Sequence, residues 1–362
     1  MNLELTEEQI ALRDTVRQFL AEKASVARHV RPMLDDPRGT TDTVWHGLAG
    51  LGATGVLVPQ DHDGAGMTMV EAGAVAEELG AALNPGPWLS SAVAAARALT
   101  RTGAADGLLA EIAGGTAIAT VGPLSGARPV ADGATLRGEI SALPDAAAAT
   151  VWLVLADESS GAGLYAVDPA SNGVTVTARS HVDPTHKLFD VILDGVSAQR
   201  LADAPVDAVD ALVDDVMIAR AADALGAASA VMKMAVDYAK VRRQFDQPIG
   251  SFQAVQHLCV DMFETVELAR SGVVHALWAA DAAEPAERHR AALRAKAFAG
   301  RLTSVGDTAI QVFGGIGFTW EHDAHLYLKR LLGWSAYLGA PDRYLEEVGA
   351  QLVGELNRKV LQ

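Results

Sequence analysis

The sequence predicts an α+β fold: an N-terminal helical domain over residues 1–115, a small middle β domain over 116–204 and a C-terminal four-helix bundle over 205–362. Three observations predict it. At 362 residues the chain is too long for one ordinary core. It is half hydrophobic, only 5% aromatic and rich in Ala, which over long windows favours helix. The apolar period is helical at both ends and alternates in the middle.

Met1-Asn-Leu-Glu-Leu5 opens directly into a helix whose start, Thr6-Glu-Glu-Gln9, reads as a capping box. Leu12, Val16, Phe19 and Leu20 then form one apolar face. A second helix around Trp45 to Leu51 runs into Gly52-Ala-Thr-Gly-Val-Leu-Val-Pro59. The loop Asp61-His-Asp-Gly-Ala-Gly66 precedes a helix carrying Ala72, Val75, Ala76 and Leu79, and Asn84-Pro-Gly-Pro87 ends it. Another helical stretch reaches Ile112. Near Thr116 the period becomes alternating. Six strands are expected at Thr116–Val121, Thr135–Ile140, Thr150–Ala156, Leu164–Val167, Val174–Thr177 and Phe189–Leu193, with turns at Asp132-Gly133 and Asn172-Gly173. From Pro205 the helical period returns, and Phe252, Val255, Cys259, Met262, Val266, Ala269 and Val273 recur in steps of three and four, a seam suited to an antiparallel bundle.

The net charge of −16 argues against nucleic-acid binding and against anionic membranes, and disfavours an anionic substrate unless basic residues are concentrated locally. The single cysteine, Cys259, excludes an internal disulfide and a cysteine-rich metal site, and its apolar stripe points to a packed thiol. Glu321, His322 and His325 lie close together with no third metal ligand beside the two histidines, so surface polarity at a helix start is expected and no metal. No 18-residue uncharged apolar run and no signal peptide is visible, so a cytoplasmic location is expected.

Two segments carry chemistry. Arg242-Arg-Gln-Phe245 with Pro248-Ile-Gly-Ser-Phe-Gln253 offers a permanent planar cation suited to phosphate. Gln311-Val-Phe-Gly-Gly-Ile-Gly-Phe318 offers glycines that let backbone approach a ligand. With Leu5-Thr-Glu-Glu-Gln-Ile-Ala-Leu-Arg-Asp14, the Trp45–Pro59 stretch, Gly64-Ala-Gly66 and Glu77-Glu-Leu-Gly80, they stand in the order and spacing of the acyl-CoA dehydrogenase family, which the chain resembles from end to end. The resemblance implies FAD held between subunits and an acyl-CoA substrate. It further implies that electrons leave to an electron-transfer flavoprotein. It implies contacts to the pyrophosphate and adenosine end of FAD from Arg242, Gln244, Phe245, Phe252 and Gln253, and backbone approach at Gln311, Gly314 and Gly315.

The sequence departs from that family at the base. Where many members carry Tyr-Glu-Gly-Thr, this chain reads Tyr337-Leu-Gly-Ala340, so Leu338 stands at the glutamate position. A minority place the glutamate one bundle helix earlier; counting back from Tyr238 reaches Val216, beside Asp214 and Asp215. The β domain departs too, reading Val121-Gly-Pro-Leu-Ser-Gly-Ala127 and Ser141-Ala-Leu-Pro-Asp145 where a flavin-contacting loop and strand are usual; Ser125 and Gly126 remain as ligand contacts, and Trp152 reads as core. With Asp183-Pro-Thr185 and the Trp320–Lys329 run, the pattern resembles subunits of actinobacterial-type heteromeric acyl-CoA dehydrogenases that act on steroid side chains, α2β2 assemblies in which one kind of subunit carries the base. The leading expectation is a heteromer in which this chain supplies the phosphate side of the FAD site. The alternatives are a catalytic homotetramer using Asp215 and a structural partner without flavin.

Overall fold

The computed structural model describes residues 4–104 and 107–360; the predicted run from Met1 into the first helix therefore begins, over residues 1–3, outside the described residues. Among the described residues a helical N-terminal region, a central β sheet and a C-terminal helical region follow one another.

Helices α1 (Glu7–Lys23), α2 (Arg31–Met33), α3 (Asp42–Gly50), α4 (Met69–Ala81), α5 (Ala96–Thr102) and α6 (Gly107–Ala113) make the first region. The capping box forms: the Thr6 hydroxyl accepts from the Gln9 N–H, and the Gln9 side chain accepts from the Thr6 N–H. A second box, Thr68 with Glu71, starts α4. Val16 and Leu20 of α1, and Ala72, Val75, Ala76 and Leu79 of α4, are buried as the periodicity predicts. The helical stretch expected up to Ile112 is divided. A buried π-helical segment, Leu89–Ala95, leads into α5, which stops at Gly103.

All six expected strands occur, as β1 (Ala119–Gly122), β3 (Thr135–Pro144), β4 (Val151–Glu158), β5 (Gly161–Val167), β6 (Val174–Ala178) and β7 (Leu188–Ser197); β2 (Val130–Asp132) and β8 (Gln199–Asp203) were not expected. Both are short or polar, with too few buried residues to alternate visibly. β1 starts three residues late because the N–H groups of Thr116 and Ala117 turn back to the Glu111 carbonyl. The order is β6-β7-β3-β2-β4-β5-β8, with β1 added parallel to β4. β3 and β7 slip register between Ile140 and Leu143, a bulge that turns Ser141 and Ala142 out of the ladder.

The last region holds α7 (Val206–Val241), a hairpin of β9 (Arg243–Gln244) and β10 (Gln247–Pro248), α8 (Gln253–Ala282), α9 (Pro285–Ala299), α10 (Thr303–Phe313), α11 (Ala324–Ala336) and α12 (Pro341–Val360). α7 and α8 pack on each other and each packs on α9 and α10, with α11 against α7 and α12 against α9. Met262, Val266, Ala269 and Val273 form the buried part of the α8 seam. α7 also crosses α4 closely. A Cβ on Gly226 would stand 1.8 Å from the Glu77 carbonyl oxygen, and one on Gly80 1.9 Å from that of Asp223, so only glycine permits this approach.

Buried polar groups pin the regions together. Arg330 of α11, 1% exposed, donates to both Asp223 oxygens (2.8 and 2.5 Å), the Thr185 hydroxyl (2.8 Å) and the Asn84 carbonyl (3.3 Å), so one guanidinium ties α11 to α7, the sheet region and the end of α4. The indole N–H groups of buried Trp45, Trp88, Trp152 and Trp334 each donate to a backbone carbonyl. Among the described residues no helix is long and apolar enough to cross a membrane.

Candidate functional site

The π-helical segment, the end of β1, the end of β3, α7 and the residues after α11 converge on one narrow cavity of ≈ 10 Å³, room for about one water molecule. Its walls are Leu89, Val93, Ala94, Val121, Leu124, Pro144, Val216 and Ala219; its polar groups are Ser90, Arg220 and Tyr337. Val121, Leu124, Pro144 and Tyr337 are shared with an adjoining groove of ≈ 340 Å³, lined also by Ser125, Ser141, Ala142, Arg179 and Leu338. The register slip in β3 makes part of the groove wall. Ala142 there has φ +55, and its N–H donates to Asp190 (3.0 Å).

Leu338 lines this groove, beside Tyr337, with φ +57, and its carbonyl accepts from the Tyr344 hydroxyl (2.6 Å). No carboxylate lines either the cavity or the groove among the described residues. Asp145 is buried behind the cavity wall, where it accepts from the Ser90 hydroxyl. Burial lifts its carboxyl to about 6, although Ser90, Arg220, Lys187 and Arg330 pull the other way.

Asp215 is placed elsewhere. Its neighbour Val216 faces the cavity, but Asp215 turns toward α5, wholly buried, and accepts from Arg101 Nε (3.0 Å) and Nη2 (3.1 Å), with Arg97 Nε at 3.7 Å. Burial pushes its carboxyl up against the pull of both arginines. Asp214 turns to α9, where His289 Nδ1 lies at 2.9 Å. Neither acid contacts the cavity.

The residues expected at the far end of FAD come together at one end of the bundle. Tyr238 of α7 and Phe313 of α10 stack with ring centroids 5.1 Å apart, so Arg242, one turn beyond Tyr238, and Gly314, next after Phe313, leave neighbouring helix ends. Phe245 and Asp246 form the two-residue turn of the β9–β10 hairpin with φ +51 and +62, a conformation costly for a phenylalanine. Phe245 is 85% exposed and stands edge-on to Phe252, ring centroids 6.0 Å apart. Gln244, Gln253 and Gln311 are exposed, and Phe252 is half-buried. Arg242 has no ion pair or side-chain hydrogen bond among the described residues, whereas Arg243 donates to the Asp246 carbonyl. Gly314 has φ +64 and ψ −145, accessible to glycine alone, and a Cβ on it or on Gly315 would meet nothing. An unpaired cation, exposed amides, an exposed aromatic and open glycine backbone fit a dinucleotide's phosphates and rings.

Of the remaining candidates, Trp152 is buried core and Cys259 a half-buried free thiol whose ionisation burial disfavours. His322 lies tilted against Phe313 and His325 edge-on to Trp320, and no group of three His, Cys, Asp or Glu suited to a metal occurs among the described residues. Sequence reasoning missed Ser90, Asp145, Arg220 and Lys296. Lys296 is fully buried, donates to the Trp334 and Ser335 carbonyls at the end of α11, and lies over the Trp334 ring at 3.9 Å. Arg220 stands alone in the apolar run Ile218-Ala-Arg-Ala-Ala222, the one available signal that a charge is buried there.

Residues 6–106 match the family described as acyl-CoA dehydrogenase, N-terminal domain, and residues 216–353 the corresponding C-terminal domain. The chain is 34% identical over 364 residues to the acyl-CoA dehydrogenase FadE34 of Mycobacterium tuberculosis, covering 98% of this chain but only 49% of that protein, so it spans about half of FadE34. It is 31% identical to the acyl-CoA dehydrogenase IpdE2 of the same organism, covering 96% of this chain and 98% of the relative. Among solved structures it is similar to the ChsE4-ChsE5 complex from M. tuberculosis (TM-score 0.89, 27% identity, 98% of this chain and 99% of that one). It is likewise similar to a variant of the steroid ACAD Tcur3481-Tcur3483 (TM-score 0.87, 28% identity, 97% and 99%).

Proposed function

The chain belongs to the acyl-CoA dehydrogenase family, and from that premise we propose that it is an FAD-binding subunit of a heteromeric acyl-CoA dehydrogenase whose base lies on a related partner chain. The observation that carries this reading is Leu338: a side chain that cannot take a proton stands in the groove, and no carboxylate lines the groove or the adjoining cavity. When bound, FAD supplies the two-electron acceptor for a hydride leaving the acyl β-carbon. Arg242 would pair with its pyrophosphate. Gln244, Gln253 and Gln311 offer amides, Phe245 and Phe252 ring faces, and Gly314 and Gly315 backbone. The Leu338 N–H makes no backbone hydrogen bond among the described residues and is free to donate to a thioester oxygen, which needs no side chain.

Asp215 is assigned to the ion pair with Arg101 and Arg97, which leaves it no access to a substrate α-carbon. Sharing of the FAD site between chains is supported by Phe245, Phe263, Phe318 and Trp320 of the bundle, each more than half exposed. The heteromeric architecture rests on the likeness to the ChsE4-ChsE5 complex, and a steroid-derived acyl group on the likeness to a steroid ACAD. Reoxidation by an electron-transfer flavoprotein is part of the same proposal.

The test is to express the chain alone and with a candidate partner, then measure particle mass, flavin content and acyl-CoA turnover. The chain alone should be colourless or poorly loaded and inactive, and the complex yellow and active. A flavin-loaded monomer, or turnover by the isolated chain, would sink the proposal.

A further inference from the structure

Lys296 of α9 is wholly buried, and among the described residues no carboxylate pairs with it. Its Nζ donates to the Trp334 carbonyl (2.6 Å) and the Ser335 carbonyl (3.2 Å), two of the last carbonyls of α11, where a helix runs out of its own donors. Burial, and then the charge of Arg220, lower its ammonium to about 7. Loss of that proton leaves both bonds intact, because a neutral amine still carries two N–H groups. A lysine is costly in such a place, where an apolar side chain would fill the same space without desolvating an amine. What an apolar side chain would not do is hold the end of α11.

Three further contacts fix the chain around that end. The Trp334 indole N–H donates to the Ala299 carbonyl (3.0 Å), one helical turn beyond Lys296. Gly300 gives Pro341 room, since a Cβ there would stand 2.1 Å from Pro341 Cγ. The Tyr344 hydroxyl of α12 donates to the Leu338 carbonyl (2.6 Å). Between these anchors the chain makes a turn with Leu338 at φ +57 and Gly339 at φ +116. Left-handed backbone is unfavourable for leucine and persists only where the surroundings over-determine it. The strained residue is also the one that lines the groove with its N–H unbonded. The clamp therefore holds a backbone donor at the groove, at the one position where the side chain has no proton acceptor to offer.

We propose that Lys296 is a positioning residue which, with the Tyr344 hydroxyl, sets the Leu338 N–H for donation to the thioester oxygen of a bound acyl-CoA. This role presupposes the acyl-CoA reading and adds to it the origin of the donor's geometry. Lys296 does not line the groove. It acts through the Trp334 and Ser335 carbonyls, on the residues just before the donor, while Tyr344 acts on the donor residue's own carbonyl. A donor fixed in advance loses little on meeting its acceptor, whereas one on a loose turn must first be ordered.

Calorimetric titration of the full chain with octanoyl-CoA and with S-octyl-CoA, a thioether with a methylene in place of the carbonyl, tests the role. The wild-type chain should bind the thioester about three- to tenfold tighter, the range of one net hydrogen bond. Lys296→Met should bring that ratio close to one and leave the affinity for S-octyl-CoA unchanged. Tyr344→Phe, which deletes only the hydroxyl on the other side of the turn, should lower the ratio in the same direction. A lysine that merely supported the fold would weaken both ligands in parallel, and that result overturns the positioning role. So does a ratio unchanged in both variants, or in Tyr344→Phe alone where Lys296→Met does not fold. Equal affinity of the wild-type chain for the two ligands overturns the Leu338 donor and the positioning role with it. Failure of the wild-type chain to bind either ligand overturns both together with the acyl-CoA reading.

Discussion

Arg242 leaves the end of α7 with its guanidinium unpaired, whereas that of Arg243 is occupied by the Asp246 carbonyl across the hairpin turn. If Arg242 meets a pyrophosphate, Arg242→Ala should weaken flavin retention by about 1.5–3 kcal/mol, and Arg243→Ala by less, read as flavin bound per chain over a dilution series. Equal loss in both would detach the phosphate role from Arg242. Asp145 makes a second prediction, in pH. Its carboxyl is raised to about 6 from 3.8, so the folded state holds its proton more tightly than the unfolded state. Its contribution therefore falls as pH rises from about 4 to 6, by up to ~3 kcal/mol, and is fully unfavourable above 6. Asp145→Asn should flatten that window of a stability-against-pH curve measured by urea unfolding. An unchanged slope would contradict the shift. These single-residue features were the least legible from sequence. Nothing in Ser141-Ala-Leu-Pro-Asp145 says that Asp145 will be enclosed by Ser90 and three distant cations, because that environment is assembled by tertiary packing.

At the scale of elements, periodicity and capping carried far. The box at Thr6, the buried stripe of α4, the seam of α8 and all six expected strands are local patterns, and local patterns survive folding. β2 and β8 escaped because an exposed three-residue strand and a polar edge strand have no alternation to read. Asp215 shows the same limit at a site. One residue of register on α7 separates the cavity wall at Val216 from an ion pair with α5, and about 100° of helix rotation per residue is too fine for motif counting across a long helix. The α4–α7 crossing was equally invisible: Gly80 and Gly226 become informative only when each is seen against the other helix's carbonyl. Gly226→Ala should force that crossing apart and lower stability by about 1–3 kcal/mol, measured by thermal or chemical unfolding. A neutral result would mean the helices can separate without cost.

Over the whole molecule, the family was legible because four motifs keep their order and spacing along the chain, and the structure brings the arginine and glycine segments to one end of the bundle. The leucine where many members of the family carry a glutamate was legible too, as Leu338. What it means depends on the assembly: a groove without a lining carboxylate in one chain is harmless where another chain supplies the base. The most direct measurement is exchange of the acyl-CoA α-proton with solvent deuterium, catalysed by this chain alone and by its complex with a partner, since that step requires a base and no net electron transfer. The chain alone should show none, Asp215→Asn should leave exchange by the complex unchanged, and replacing the partner's base should abolish it. Exchange by the isolated wild-type chain, lost on Asp215→Asn, would contradict the assignment of this chain as the subunit without a base.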